Sequence, residues 1–200
     1  VSMASIPSYA GQRLPAVLVA FAQAYPQIEV SVQDDTAEQV QRRVIERRVD
    51  FGIGTQFALD PELAFEHLTE DHMGVVCRPD HPLAASDAPC EWSELAHYTL
   101  ITNGTFREVN DPDAQAVLDR ARFHVPNIVS LLAMVRGGLG ITLLPALSLF
   151  GGQSDLCFRA LAGASATRDI GLISPLRETP RPAAAALMAA IRAQVQPRKS

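Results

Sequence analysis

The sequence predicts an α/β protein made of two similar units, each a mostly parallel sheet flanked by helices. Two stretches carry that expectation: β-α-β-α-β order runs from Val1 to Gly54, and the same order returns from Tyr98 to Leu143. Strands that alternate with helices imply parallel pairing through right-handed crossovers. A third observation is the segment 127–145, which reads as a capped helix running into an apolar strand. Two such units joined by long strands suggest two lobes with a cleft between them.

Residues 1–6 read as a short strand that Pro7 and Ser8 break. Leu14, Val17, Leu18, Phe21 and Tyr25 then trace one helical stripe, stopped before Pro26. Pro15 requires either that the regular helix begin beside it or that its first turns be irregular. Ile/Val alternate with polar residues over 28–32, the pattern of a strand with one wetter face. Thr36 to Gln39 fits a capping box for a helix whose stripe is Val40, Val44 and Ile45. Arg42, Arg43, Arg47 and Arg48 on it read as a solvated face offset by Glu38 and Glu46, in preference to a nucleic-acid contact. Residues 50–54 form the third strand.

Segment 63–78 is longer and less regular, with 73–77 as its best strand. A turn at 80–83, a short helix at 92–95 and a strand at 98–102 follow, then a polar loop over 103–107. Asp111 and Pro112 supply N-cap and N1 for a helix to about Arg122. A brief strand at 122–125 leads to Asn127, a good N-cap, with Ile128, Leu131, Leu132 and Val135 as one apolar stripe. Gly137 and Gly138 end that helix, 139–144 is an apolar strand, and Pro145 opens the next turn. Gly138-Leu139-Gly140 follows a helix and precedes a strand, the reverse of a nucleotide-binding fingerprint, so a C-cap is the better reading. Gly151-Gly152 is a loop, and late strands at 156–161 and 170–174 flank the small-residue stretch 162–167. Pro182 starts a final helix with Leu187, Met188, Ile191 and Val195 facing in.

Composition narrows the function. The chain has 200 residues, 48% of them hydrophobic, enough for a substantial core. A net charge of −5 gives no general attraction to nucleic acid, and Arg192, Arg198 and Lys199 read as a solvated tail. Cys77, Cys90 and Cys157 are odd in number and lack Cys-x-x-Cys spacing, which argues against a disulfide framework or structural zinc and suits a reducing compartment. No signal peptide or bilayer-spanning run is evident. Val1 opens directly on a strand, so the chain is expected to be a fragment of a longer protein.

In such sheets ligands gather outside the carboxyl ends of the strands, where helix N-termini point. The loops expected there are 5–9, 102–106 and 126–129. The candidate binding residues are Ser5, Ile6, Pro7, Ser8, Tyr9, Thr102, Asn103, Gly104, Thr105, Pro126, Asn127 and Ile128. Hydroxyls, amides and free N–H groups with few charges suit reversible capture of a small polar or anionic molecule, a carboxylate for example. Arg13 and Arg107 could add positive charge, though surface solvation fits each. Enzyme readings fare worse. A Gly-x-Ser-x-Gly elbow is missing, and His81, His97 and His124 have no acid or nucleophile at a telling spacing. His67, Asp71 and His72 resemble a metal cluster, but an extended chain would point the two histidines to opposite faces. Cys77 lies in an apolar run and reads as an inert buried thiol. No catalytic residue, metal or cofactor is expected.

The pattern resembles the effector-binding domain of LysR-type transcriptional regulators, which has the two-lobed type 2 periplasmic-binding-protein-like fold. The motifs that carry it are Ile6-Pro-Ser8 with Leu14-Pro15, Phe21-Ala-Gln-Ala-Tyr-Pro26, Asp50-Phe-Gly-Ile53, Pro79-Asp-His-Pro-Leu83 and Val135-Arg-Gly-Gly-Leu-Gly-Ile-Thr-Leu-Leu-Pro145. The resemblance implies one lobe of 1–72 plus 169–200, a second of 73–168, and crossover strands between them. It implies an effector in the cleft, an N-terminal winged helix-turn-helix lying outside this chain as the only DNA contact, a homodimer or tetramer, no membrane partner and a cytoplasmic location. Dimers in the family commonly pair the helix at 14–25 with one of the other lobe, here the helix at 111–122. Segment 103–126 is shorter than the family usually carries, from a deleted loop or missing residues. Two rivals remain: a stand-alone solute-binding protein of the same fold, and an α/β enzyme with a perturbed acid, base or nucleophile in its cleft.

Overall fold

The computed structural model describes residues 1–105, 112–149, 155–163 and 166–195. Phe106, Arg107, the Asp111 cap, the Gly151-Gly152 loop, the middle of 162–167, and Arg198 with Lys199 lie outside the described residues. The chain divides into two compact units, Val1–Glu70 with Asp169–Ser200, and Asp71–Arg168.

Unit 1 starts with β1 (Ser2–Ser5), α1 (Pro7–Gln12), α2 (Leu14–Ala24), β2 (Ser31–Asp34), α3 (Ala37–Ile45) and β3 (Phe51–Thr55). β1 is the centre of the parallel part, pairing with β2 on one side and β3 on the other. β9 (Thr167–Pro175), returning from unit 2, joins β3 antiparallel, and α7 (Pro182–Val195) closes the unit against α2. Gly52 lets α3 approach closely: a Cβ there would stand 2.6 Å from Val40 Cγ1. Thr36 caps α3, its hydroxyl accepting from Gln39 N–H. The four arginines of this region are paired: Arg42 and Arg48 with Glu46, Arg43 with Asp35, and Arg47 with Glu178. Those ion pairs fit the solvated-face reading.

Unit 2 begins within β4 (Leu63–Cys77) and contains α4 (Trp92–Leu95), β5 (Leu100–Thr102), α5 (Pro112–Leu118), β6 (Phe123–His124), α6 (Ile128–Arg136), β7 (Ile141–Pro145) and β8 (Cys157–Ala160). β6, β5 and β7 are parallel neighbours, whereas β4 pairs antiparallel with both β7 and β8. The sheet has a core on each face. Val75, Cys77, Ile141 and Leu143 meet Trp92, Leu95, Ala114 and Val117 on one side. Val76, Ile101 and Leu144 meet Leu131, Leu132 and Val135 of α6 on the other. Antiparallel pairing in both units comes from the strands that carry the chain from one unit to the other, so each sheet is mixed.

Several boundaries differ from the sequence reading. Pro7 and Ser8 do not lie in a loop: Pro7 is the first residue of α1, where its fixed φ and missing N–H suit the helix. Pro15 lies in the first turn of α2, which settles the alternative posed for it. The second strand starts at Ser31, because Ile28 N–H is used in a turn onto Tyr25 O at 3.0 Å. Segment 63–77 is one 15-residue strand; exposed Glu66, His67, Glu70 and His72 obscure its pattern in the sequence. α5 ends at Leu118, where Arg120 and Ala121 N–H turn back three residues to Val117 and Leu118 carbonyls.

Candidate functional site

At the carboxyl edge of unit 1, Ser5 ends β1 and faces Ile53 of β3 in register. Ser5 is fully buried and its hydroxyl donates to Ile6 O at 3.1 Å. Ile6 occupies the N-cap position of α1 with extended backbone but offers no side-chain cap. Its own N–H donates to Ile53 O at 3.0 Å, so the turn is tied to the sheet. Ser8 and Tyr9 follow Pro7 in the first turn, both buried. Tyr9 Oη has no hydrogen-bond partner among the described residues, and burial holds its pKa above the usual phenol value, with Arg13 pulling the other way.

Thr55, the last residue of β3, was not singled out from the sequence. It is 1% exposed, and its hydroxyl also lacks a partner among the described residues. The signal was available: Thr55 follows Gly54 at the carboxyl end of a parallel strand, where the rule on ligand position points.

In unit 2, Thr102 ends β5 opposite His124 of β6. Its hydroxyl donates to Phe123 O at 3.1 Å and lies 3.3 Å from His124 Nδ1. Asn103 is buried and its Oδ1 accepts from Thr105 N–H, an Asx turn that shapes the loop. Gly104 is exposed with open space where a Cβ would lie, and Thr105 is half-buried. Pro126 is exposed, and Asn127 caps α6 with Oδ1 accepting from Val129 and Ser130 N–H at 3.0 and 3.1 Å. Ile128 begins the helix, half-buried. The cap engages the amide oxygen of Asn127, leaving its Nδ2–H₂ as a donor at a positive helix end.

Each sheet therefore gathers its candidates at its own carboxyl edge: Ser5 to Tyr9 in one, Thr102 to Thr105 with 126–128 in the other. These are hydroxyls, amides and helix N–H groups. The other candidate chemistries separate. Asp71 is buried in an ion pair with Arg168 at 3.0 Å, His72 Nδ1 lies 3.1 Å from Thr167 Oγ1, and His67 Nε2 lies 3.3 Å from Asp169. His67, Asp71 and His72 thus engage separate partners and do not form one cluster, in line with histidines that face opposite sides of an extended chain. Among the described residues, the group with three possible ligand atoms within 4.8 Å is His67, Glu70 and Asp169, all exposed. Burial pushes the Cys77 and Cys90 thiols up to about 11, which fits inert sulfur at neutral pH. Among the described residues, no helix is long and apolar enough to cross a membrane.

Residues 1–196 match the family model described as the LysR substrate binding domain. The chain belongs to that family. It is 30% identical over 155 residues to the uncharacterized HTH-type transcriptional regulator YbhD of Escherichia coli, covering 74% of this chain and 48% of that protein. The chain spans about half the length of the curated relatives it matches, 48% and 47% for two of them. In structure it resembles the effector binding domain of QuiR in complex with shikimate, with a TM-score of 0.80 at 18% identity over 96% of this chain and 95% of that one. It also resembles the Synechocystis CcmR regulatory domain in complex with 2-PG, with a TM-score of 0.82 at 20% identity over 99% and 98%. These likenesses establish the two-lobed periplasmic-binding-protein-like fold.

Proposed function

We propose that this chain is the ligand-sensing part of a longer, cytoplasmic LysR-type regulator that binds DNA through a helix-turn-helix outside these 200 residues. The observation that carries the reading is the family match over residues 1–196. The edge chemistry supports the class of ligand. The positive end of α6, the Asn127 amide and the Ser8 hydroxyl favour a small polar or anionic molecule, and none of them makes or breaks a bond. The protein is accordingly a non-catalytic sensor. Ligand shifts its conformational equilibrium only by its differential affinity for two states, and self-association as a dimer or tetramer carries that shift to DNA.

The relatives bound to shikimate and 2-PG suggest where to start. A thermal-shift panel of hydroxylated, aromatic and phosphorylated carboxylates tests the reading. A ligand at a hundred times its dissociation constant adds about 2.7 kcal/mol, or roughly 5–10 °C for a protein of this size. Loss of the shift in Ser8→Ala and in Asn127→Ala supports these edges as the site. A ligand whose shift survives both changes would move the site elsewhere.

A further inference from the structure

β4 and β9 are neighbours in the sheet, and both carry the chain out of unit 1. At that point His67 and Glu70 of β4 meet Asp169 of β9. His67 and Glu70 are three residues apart, an odd step that in a regular strand sends side chains to opposite faces. The inward phase of β4 changes between them: Leu68 and Asp71, also three apart, are both buried. The same shift turns His67 and Glu70 outward together, and both are exposed, as is Asp169. All three belong to unit 1, and none is among the binding candidates at the carboxyl edges.

One imidazole nitrogen and two carboxylate oxygens, all within 4.8 Å of one another, make a ligand set for a transition ion. His67 Nε2 stands 3.3 Å from Asp169 Oδ1. Zinc bonds of about 2.0–2.2 Å place neighbouring ligand atoms roughly 3.3–3.6 Å apart in a tetrahedral shell, so this pair already has the spacing. Rotation of the exposed Glu70 side chain closes the remainder. Charge gives a second, independent reason. The adjacent acid Glu66 is neutralised by Arg192 through two bonds of 2.6 and 2.7 Å. Among the described residues Glu70 has no cationic partner, and Asp169 has only the imidazole. Two carboxylates held this close repel one another unless a cation lies between them. We infer that His67, Glu70 and Asp169 bind a divalent transition ion of the zinc class and so join β4 to β9 where both leave unit 1. The imidazole sets that class: magnesium and calcium take oxygen ligands, whereas histidine with carboxylate suits zinc and its first-row neighbours. Three protein ligands leave a fourth position for water, as in an open zinc site.

The test is titration calorimetry of zinc chloride into the reduced, purified chain, with magnesium chloride in a parallel run. The expected result is saturable binding of one zinc ion per chain and no comparable binding of magnesium. His67→Ala, Glu70→Gln and Asp169→Asn should each weaken zinc at least about ten-fold, the scale on which even outer-shell changes act at metal sites. The three positions are exposed, so the variants should fold, which unchanged urea midpoints without zinc would verify. Cys157→Ser removes a partly buried thiol and Glu62→Gln an acid of the same unit outside the cluster; both should leave zinc affinity as it is. Absence of saturable zinc binding, equal binding of magnesium, zinc affinity that survives all three ligand changes, or its loss in Cys157→Ser or Glu62→Gln would each overturn the inference.

Discussion

The two adjacent glycines that end α6 should respond in opposite directions to the same substitution. Gly138 has φ of +79°, while Gly137 has φ of −69° and sits in helical backbone. Gly138 N–H donates to Val135 O at 3.0 Å and Leu139 N–H to Met134 O at 3.1 Å, the two bonds of a Schellman motif. Space is not the issue at Gly138, where the nearest atom to an added Cβ is Arg78 Nη1 at 3.5 Å. The native-state cost of Gly138→Ala is thus left-handed backbone strain, about 1–2 kcal/mol. Alanine also removes disorder from the unfolded chain, which returns roughly 0.4–1 kcal/mol. The net should be a loss of about 1 kcal/mol. At Gly137 an added Cβ meets Ala133 O at 3.4 Å, an ordinary contact, so Gly137→Ala should keep the unfolded-state gain and stabilise by up to about 1 kcal/mol. Urea titrations of both variants at matched m-value would measure the difference, with midpoints moving in opposite directions. Equal shifts, or a stabilising Gly138→Ala, would refute the C-cap assignment.

Other expectations follow from single contacts. Asn127→Ala should remove two cap hydrogen bonds and cost about 1 kcal/mol, whereas Asn127→Asp keeps the cap and the stability but places a negative charge where an anionic ligand is expected; urea midpoints with ligand binding separate the two roles. Gly140→Ala should cost about 1–3 kcal/mol by overpacking, because the new Cβ would fall 2.1 Å from Thr99 O, and its Tm should drop by several degrees. Glu94 is held below the usual carboxylate range, first by Glu91 N–H and then by Arg159. A depressed folded pKa stabilises the protein above the unfolded value and is lost as pH falls through the folded one. Glu94→Gln should therefore be less stable than the parent at neutral pH, with the gap closing below about pH 4.5 in urea titrations run across pH.

Long patterned segments were the legible part of the fold. Asn127, the stripe Ile128, Leu131, Leu132 and Val135, and the paired glycines located α6 to within a residue, because cap, period and stop signals agree. The strand at 63–77 was harder. Its membership in the sheet is decided by pairing with β7 and β8, partners far away in sequence, and its exposed polar residues break the alternation. The same limit hid Thr55, whose burial depends on neighbours that no local pattern reveals. Ser8 and Tyr9 were placed at the correct end of β1 but in a loop, since Pro7 reads equally as a breaker or as the first residue of a helix.

The most direct test of the account is titration calorimetry with the best ligand of the carboxylate panel on the parent chain, Ser8→Ala, Asn127→Ala and the double variant. The account predicts saturable binding with no turnover and a loss of affinity in each variant. Unchanged affinity in all three variants, or turnover of the ligand during the titration, would contradict it.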